Sequence, residues 1–157
     1  VPVITRATQT LDGLAIPYRL FTHASPPASL QEAARERGQD PSQVVRSILF
    51  RHSGDSFVLV LMAGPGQIFW KRVRTHMGIT RLSLADEAEV RRVTGCEIGT
   101  VNPFSLPAGT RILADANVFA PLEISIGSGL RGTAIILETT HLRQALPGVE
   151  VADLAAV

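Results

Sequence analysis

The stretch "QVVRSILFRHSGDSFVLVLMAG", residues 43–64, holds two runs rich in β-branched and large apolar residues on either side of Ser-Gly-Asp. Runs of this kind joined by a short glycine-containing turn predict an antiparallel hairpin, with strands over 43–52 and 56–64. One residue in it is out of place. Arg46 interrupts Val44, Val45, Ile48, Leu49 and Phe50. Strand alternation puts it on the face of Ile48 and Phe50, with Val45, Ser47 and Leu49 opposite. A cation on an apolar face needs a partner or an anionic ligand, unless it snorkels from an edge strand.

The hairpin sets how the flanking segments are read. Upstream, residues 4–14 have helical spacing and 18–23 alternate as a strand. After the linker "ASPPAS", Ser29 opens a helix with Glu32 three residues on, a capping box, and the helix stops at Gly38. Downstream, "IFWKRVRTHMG" reads as an amphipathic helix closed by Gly78. "SLADEAEVRRVTG" reads as another, starting at Ser83 and ending at Gly95. Short strands follow at 111–115, 122–127 and 132–139, then a helix over 140–146; residues 149–157 carry no assignment. Strands and helices do not alternate strictly, which excludes a doubly wound fold. The pattern predicts an α+β domain with about six strands, four or five helices and a mixed, largely antiparallel sheet.

Bulk properties narrow the function classes. The chain has 157 residues, 45 % of them hydrophobic and 18 % charged, which predicts one globular domain over 1–157. No apolar run reaches the roughly 20 residues of a membrane helix. No secretory leader pattern is present and the single cysteine, Cys96, allows no internal disulfide, so a cytoplasmic protein is expected. A net charge of +1 speaks against a general nucleic-acid binder. Lys71 is the only lysine among the basic residues, a compositional preference for arginine.

Several motifs are read and weighed. "GSGLRG", residues 127–132, matches G-x-G-x-x-G, yet a strand-like segment follows where a nucleotide site needs a helix. What remains is a tight turn between strands, either purely structural or with backbone N–H groups facing a ligand. None of His23, His52, His76 and His141 makes a metal-type pair, so neither a metal nor a cofactor is predicted. His23, ending a strand beside a Pro-rich linker, has the best claim to a site. No G-x-S-x-G elbow occurs, and a lone cysteine is more often a core residue than a nucleophile. Asp115 ends an apolar strand and either caps the next turn or faces a pocket. The stretch "GCEIGTVNPFSLP", residues 95–107, is too apolar for an ordinary loop and too rich in proline for a strand.

Together these elements resemble the YbaK/ProX family of aminoacyl-tRNA deacylases, which also occurs as the editing insertion of bacterial prolyl-tRNA synthetases. The resemblance spans roughly residues 23–146. Its carriers are "SLQEAARERG", "QVVRSILF", "LADEAEVRRVTG", "GTVNPF" with its G-x-x-x-P element at Gly99–Pro103, "ILADANV" and "IGSGLRGTAII", in that order.

It implies a barrel-like sheet flanked by helices, and hydrolysis of the ester of a misacylated tRNA, with proline tRNA carrying a small wrong amino acid as the expected substrate. The implied partners are the tRNA acceptor end and prolyl-tRNA synthetase. Arg46, Gly99 and Gly127 stand at the implied catalytic positions. His23, Ser47, Thr100, Val101, Asn102, Pro103, Phe104, Asp115, Ser128 and Gly129 stand at the substrate-binding ones. An aminoacyl ester is already reactive, so a positioned water and backbone donors suffice without a protein nucleophile.

Two departures from the family pattern bear on activity and specificity. The family's functional lysine falls at Arg46; a guanidinium can take over an electrostatic role, whereas it does not transfer protons. Thr133 and Ala134 occupy a place that is acidic in the cysteine-clearing branch, which argues against that specificity. An editing hydrolase and a binding module without turnover both fit, and Arg46 is the residue that separates them. Lys71, Arg72, Arg74, Arg91 and Arg92 are read either as a patch for the acceptor stem or as two solvated helix faces.

Overall fold

A computed structural model describes residues 2–156. It contains five α-helices and eight strands among the described residues. Helix α1 (Arg6–Gly13) opens on Thr5 in a capping box with Thr8. Strand β1 (Arg19–Thr22) leads to helix α2 (Leu30–Arg37). A 3-10 turn at Pro41–Gln43 then feeds strands β2 (Val45–Ser53) and β3 (Ser56–Ala63), paired antiparallel. Next come α3 (Trp70–Met77), β4 (Ser83–Leu84) and α4 (Glu87–Thr94). Beyond the long loop lie β5 (Arg111–Asp115), β6 (Glu123–Gly127), β7 (Thr133–Glu138), α5 (Thr139–Ala145) and β8 (Glu150–Ala152).

The strands form two sheets, β1-β7-β6 and β4-β2-β3-β5-β8. The first is antiparallel throughout, and the second is mixed because β5 runs parallel to both β3 and β8. The α+β class and the mixed sheet are as the sequence predicts. The barrel-like closure is not. Backbone pairing between the two sheets is limited to a single bridge, Val44 to Ser125, so they do not close into a barrel.

The hairpin organises the interior. In β3 the five residues Val58, Leu59, Val60, Leu61 and Met62 are all buried, so both faces of this strand are covered. Leu59 and Leu61 join the larger core with Leu49, Ile124, Ile126 and Ile135. Val58, Val60 and Met62 point the other way, onto Phe50, Val73 of α3, Leu113 and Leu154. Each such side chain contributes about 1.5–3 kcal/mol by leaving water.

Three local readings are corrected. Ser83 does not begin a helix: Ser83 and Leu84 pair with Arg51 and Phe50 as an extra strand, and Asp86 caps α4 in a box with Glu89. The Ser29 cap forms, but Glu32 accepts the Ala28 N–H at 3.0 Å in place of the Ser29 N–H. The tail, left unassigned, supplies β8.

Candidate active site

Strand β2 is covered along only part of its outer edge. Strand β4 pairs with it at Phe50 and Arg51, and the bridge to β6 sits at Val44. Between them Arg46, Ser47 and Ile48 face a cavity, closed on its far side by the loop residues Ile98, Gly99 and Val101. These six residues form a waist between two lobes of about 440 Å³ each. One lobe is the more polar, with His23, Arg37, Arg131 and Thr133 on its wall. The other is apolar, walled by Phe50, Ile68, Trp70, Leu84 and Val90. No carboxylate lines either lobe among the described residues.

Arg46 solves its apolar surroundings with backbone carbonyls. Its Nε donates to Gly64 O at 2.9 Å and its Nη2 donates to Gly66 O. Both acceptors are neutral, and burial pulls the guanidinium below its ordinary pKa, so an anionic group in the cavity would find an unneutralised cation.

His23 is buried and does not stand free to meet a ligand. Its Nδ1 lies 2.7 Å from Glu36 Oε1, and its Nε2 accepts from Arg37 Nε at 3.1 Å. That acceptor role places the ring proton on Nδ1, as the donor to Glu36. The His23 hydrogen bond holds the Glu36 carboxyl below the usual carboxylate range. Arg37 also donates from Nη1 to Ser125 Oγ at 2.9 Å, and Ser125 Oγ donates to Gln39 Oε1 at 2.7 Å. The guanidinium is thus braced at two corners on the cavity wall.

The loop after α4 is built from side chain to backbone. Asn102, fully buried, accepts from Phe104 N at 2.9 Å and from Ser105 Oγ at 3.0 Å. Val101 and Phe104 enter the larger core. Thr100 Oγ1 donates to Glu97 O at 2.8 Å. These anchors hold Gly99 at φ +95°, a conformation that favours glycine, with its N–H making no hydrogen bond among the described residues. Across from it, Gly127 passes under the loop so tightly that a Cβ would lie 2.7 Å from Val101 O and 2.9 Å from Thr100 O.

Arg46, Ser47, His23, Gly99, Thr100, Val101 and Gly127 therefore come together at one cavity. Asn102, Pro103, Phe104, Asp115, Ser128 and Gly129 lie outside its lining. The first three shape the loop from beneath. Asp115 is a cap: its Oδ2 accepts from Asn117 N at 3.1 Å, and its Oδ1 accepts from Leu154 N at 2.8 Å and Ala155 N at 3.1 Å. Ser128 Oγ closes the β6–β7 turn by donating to Thr133 O at 2.7 Å, while the Gly129 N–H is taken by Thr100 O at 3.0 Å. Two of the five basic residues read as either a patch or solvated helix faces are paired, Arg72 with Asp153 at 2.8 Å and Arg92 with Asp55 at 3.4 Å.

Arg37 is the cavity residue that sequence reading passes over. It looks like an ordinary cation at a helix C-terminus, but it stands three and four residues after the buried Ala34 and Ala33, on their face of the helix. Among the described residues no three His, Cys, Asp or Glu side chains gather as a metal ion would require, and no helix is long and apolar enough to cross a membrane.

The chain has relatives among known proteins. The chain is 32 % identical over 136 residues to the multifunctional Ser/Thr-tRNA deacylase ProXp-y of Escherichia coli K12, covering 83 % of this chain and 80 % of that protein. It is 30 % identical over 90 residues to the proline–tRNA ligase of Streptococcus sanguinis, of which it spans only 14 %. The crystal structure of a candidate trans-editing enzyme for prolyl tRNA synthetase superposes with a TM-score of 0.86 at 22 % identity, covering 99 % of this chain and 100 % of that one, a likeness of fold. The aminoacyl-tRNA editing domain, as a family model, matches residues 24–145, a span running from the residue after His23 to the end of α5 and enclosing Arg37, Arg46, Gly99 and Gly127. The chain belongs to the aminoacyl-tRNA editing domain family.

Proposed function

We propose that the protein is a trans-acting aminoacyl-tRNA deacylase whose residues 1–157 work as one editing domain, and that its substrate is proline tRNA charged with a small wrong amino acid, alanine, serine or threonine. The observation that carries this reading is the cavity waist, where Gly99, whose N–H has no hydrogen-bond partner among the described residues, lines the wall across from Arg46, Ser47 and Ile48. Support for a small residue comes from the E. coli relative named for serine and threonine. The acceptor end of tRNA is the partner, prolyl-tRNA synthetase the source of the error, and the cytoplasm the place of action.

The chemistry follows from the donors present. Water adds to the ester carbonyl carbon, the C–O bond to the terminal ribose breaks, and a proton passes to the departing ribose oxygen, leaving free amino acid and uncharged tRNA. Gly99 N–H meets the developing oxyanion, and the Arg46 cation lies close enough in the same waist to favour that negative charge. His23 is committed to Glu36 and Arg37, so a neighbouring hydroxyl of the substrate's own ribose relays the proton, taking it from the water as it passes its own to the departing ribose oxygen.

A binding module without turnover is the second reading, favoured by one observation: Arg46 already spends Nε and Nη2 on the carbonyls of Gly64 and Gly66. Single-turnover hydrolysis of Ala-, Ser-, Thr- and Cys-charged proline tRNA separates the two. The expected result is hydrolysis of at least one small-residue substrate, falling about 100-fold in Arg46→Ala and less in Arg46→Lys. A wild-type protein that binds an amide-linked aminoacyl adenosine and hydrolyses none of the four would establish the module instead.

A further inference from the structure

The outer edge of β2 carries a pattern that its pairing with β3 makes explicit. Gly64 N donates to Val44 O at 2.8 Å, and Ala85 N donates to Leu49 O at 3.0 Å. In an antiparallel ladder, alternate residues turn their backbone groups toward the partner strand and away from it. The first bond therefore assigns Val44, Arg46 and Ile48 to the β3 side. The second assigns Val45, Ser47 and Leu49 to the open side. The register Arg46 to Met62, Ser47 to Leu61 and Ile48 to Val60 agrees.

Ser47 is the residue in the middle of the uncovered stretch. Its N–H and C=O both turn to the side of β2 on which no ladder runs between the Val44 bridge and Phe50. Its Oγ is buried and without a hydrogen bond. Ser47 thus brings an unpaired hydroxyl and an unladdered backbone edge to the junction of the two lobes. A buried unsatisfied group costs about 1–3 kcal/mol, so a buried unpaired hydroxyl beside an unladdered strand edge points to something that binds there.

We propose, resting on the deacylase reading above, that Ser47 grips the aminoacyl group as a strand residue grips its opposite number. The substrate's α-amino group donates to Ser47 O, and its ester carbonyl accepts from Ser47 N–H, the double exchange of a hydrogen-bonded antiparallel pair. It is strand addition by a single residue. Such a pair puts the two side chains on the same face, with Cβ atoms about 4.5–5.5 Å apart. The substrate side chain then lies beside Ser47 Oγ, which answers a hydroxyl there. The grip reads the chirality of the amino acid as well as its size, because a D-residue holding both bonds would turn its side chain to the opposite face. It also explains how an amine is held in a cavity without a carboxylate.

The test uses the whole protein and three changes at position 47. Proline removes the N–H, which the β2–β3 ladder does not use, together with Oγ. The α-hydroxy analogue of serine, placed by suppression, exchanges only the N–H for an ester oxygen and covers the case in which proline impairs folding. Alanine removes Oγ alone. The first two should each lower deacylation by about 100-fold on every substrate the wild type hydrolyses. Ser47→Ala should lower hydrolysis of the serine ester about tenfold more than that of the alanine ester. If the α-hydroxy variant and folded Ser47→Pro both keep wild-type rates while the wild type is active, the grip is wrong and the deacylase reading stands. A wild type inert on all four charged tRNAs overturns the deacylase reading, and the grip with it.

Discussion

Gly127 and Val101 are in backbone contact: a methyl group at Gly127 would stand 2.7 Å from Val101 O. The contact fixes how far the Gly99 loop sits from β2, so it sets the width of the waist. Gly127→Ala forces backbone to move and should cost about 1–3 kcal/mol of stability. Thermal melting together with deacylation of the folded protein checks it. Activity should fall more than the loss of folded protein explains, and a variant with wild-type melting and rate would mean the contact relaxes freely.

Arg37 is placed by His23 and Ser125, and it turns a helix end into a cavity wall. In Arg37→Leu the cavity loses a cation and His23 Nε2 loses its donor, a loss of about 1–3 kcal/mol if the ring stays buried. Arg37→Lys keeps the charge without the planar fork that reaches both partners. Both variants should raise KM for charged tRNA, with kcat changing less. An unchanged KM in Arg37→Leu would show that the guanidinium only packs.

Asp115 offers the opposite expectation. Two of its three backbone bonds tie β5 to the segment after β8, the third caps the turn at Asn117, and the residue lies outside the cavity lining. Asp115→Ala should destabilise the fold by about 2–4 kcal/mol, since buried N–H groups lose a charged acceptor. The protein that remains folded should hydrolyse its substrate at the wild-type rate. A selective loss of activity at unchanged melting temperature would place Asp115 in the site after all.

Glu150 makes stability depend on pH. Arg111 donates to it from Nε at 2.8 Å and Nη2 at 2.6 Å, His76 lies 3.1 Å away, and its pKa falls from 4.5 to about 2, chiefly through the Arg111 bonds. A depressed carboxylate stabilises the fold above its unfolded pKa, and that contribution disappears as pH drops through the folded value. Melting temperature should therefore decline between pH 4.5 and about 2, and decline less in Glu150→Gln. Parallel pH curves for the two proteins would remove this carboxylate from the account.

Much of this was legible in the chain because it is local. The 43–64 hairpin, the Ser29 cap and the glycine stops of α2, α3 and α4 are written in neighbouring residues. Strands β4 and β8 escaped notice because two or three residues carry no periodicity and exist only through distant partners, Phe50 for one and Leu113 for the other. The same distance hid the fate of polar residues. Asp115, Asn102 and Ser128 look like site residues until their hydrogen bonds are seen to be spent on backbone. Arg37 looks like solvent-facing charge until His23 and Ser125 are seen to hold it.

Strand β1 has a single neighbour, β7, and Thr22 meets Thr133. During synthesis the first strand therefore emerges with nothing to join. At a typical rate of about 5–20 residues per second, its partner follows on the order of ten seconds later. The larger sheet waits longer still, for β8 must dock on β5. Until then the apolar β2–β3 hairpin is exposed as the nascent chain's stickiest element, so aggregation on the ribosome, more than unfolding of the finished protein, is where expression of weakened variants would first fail.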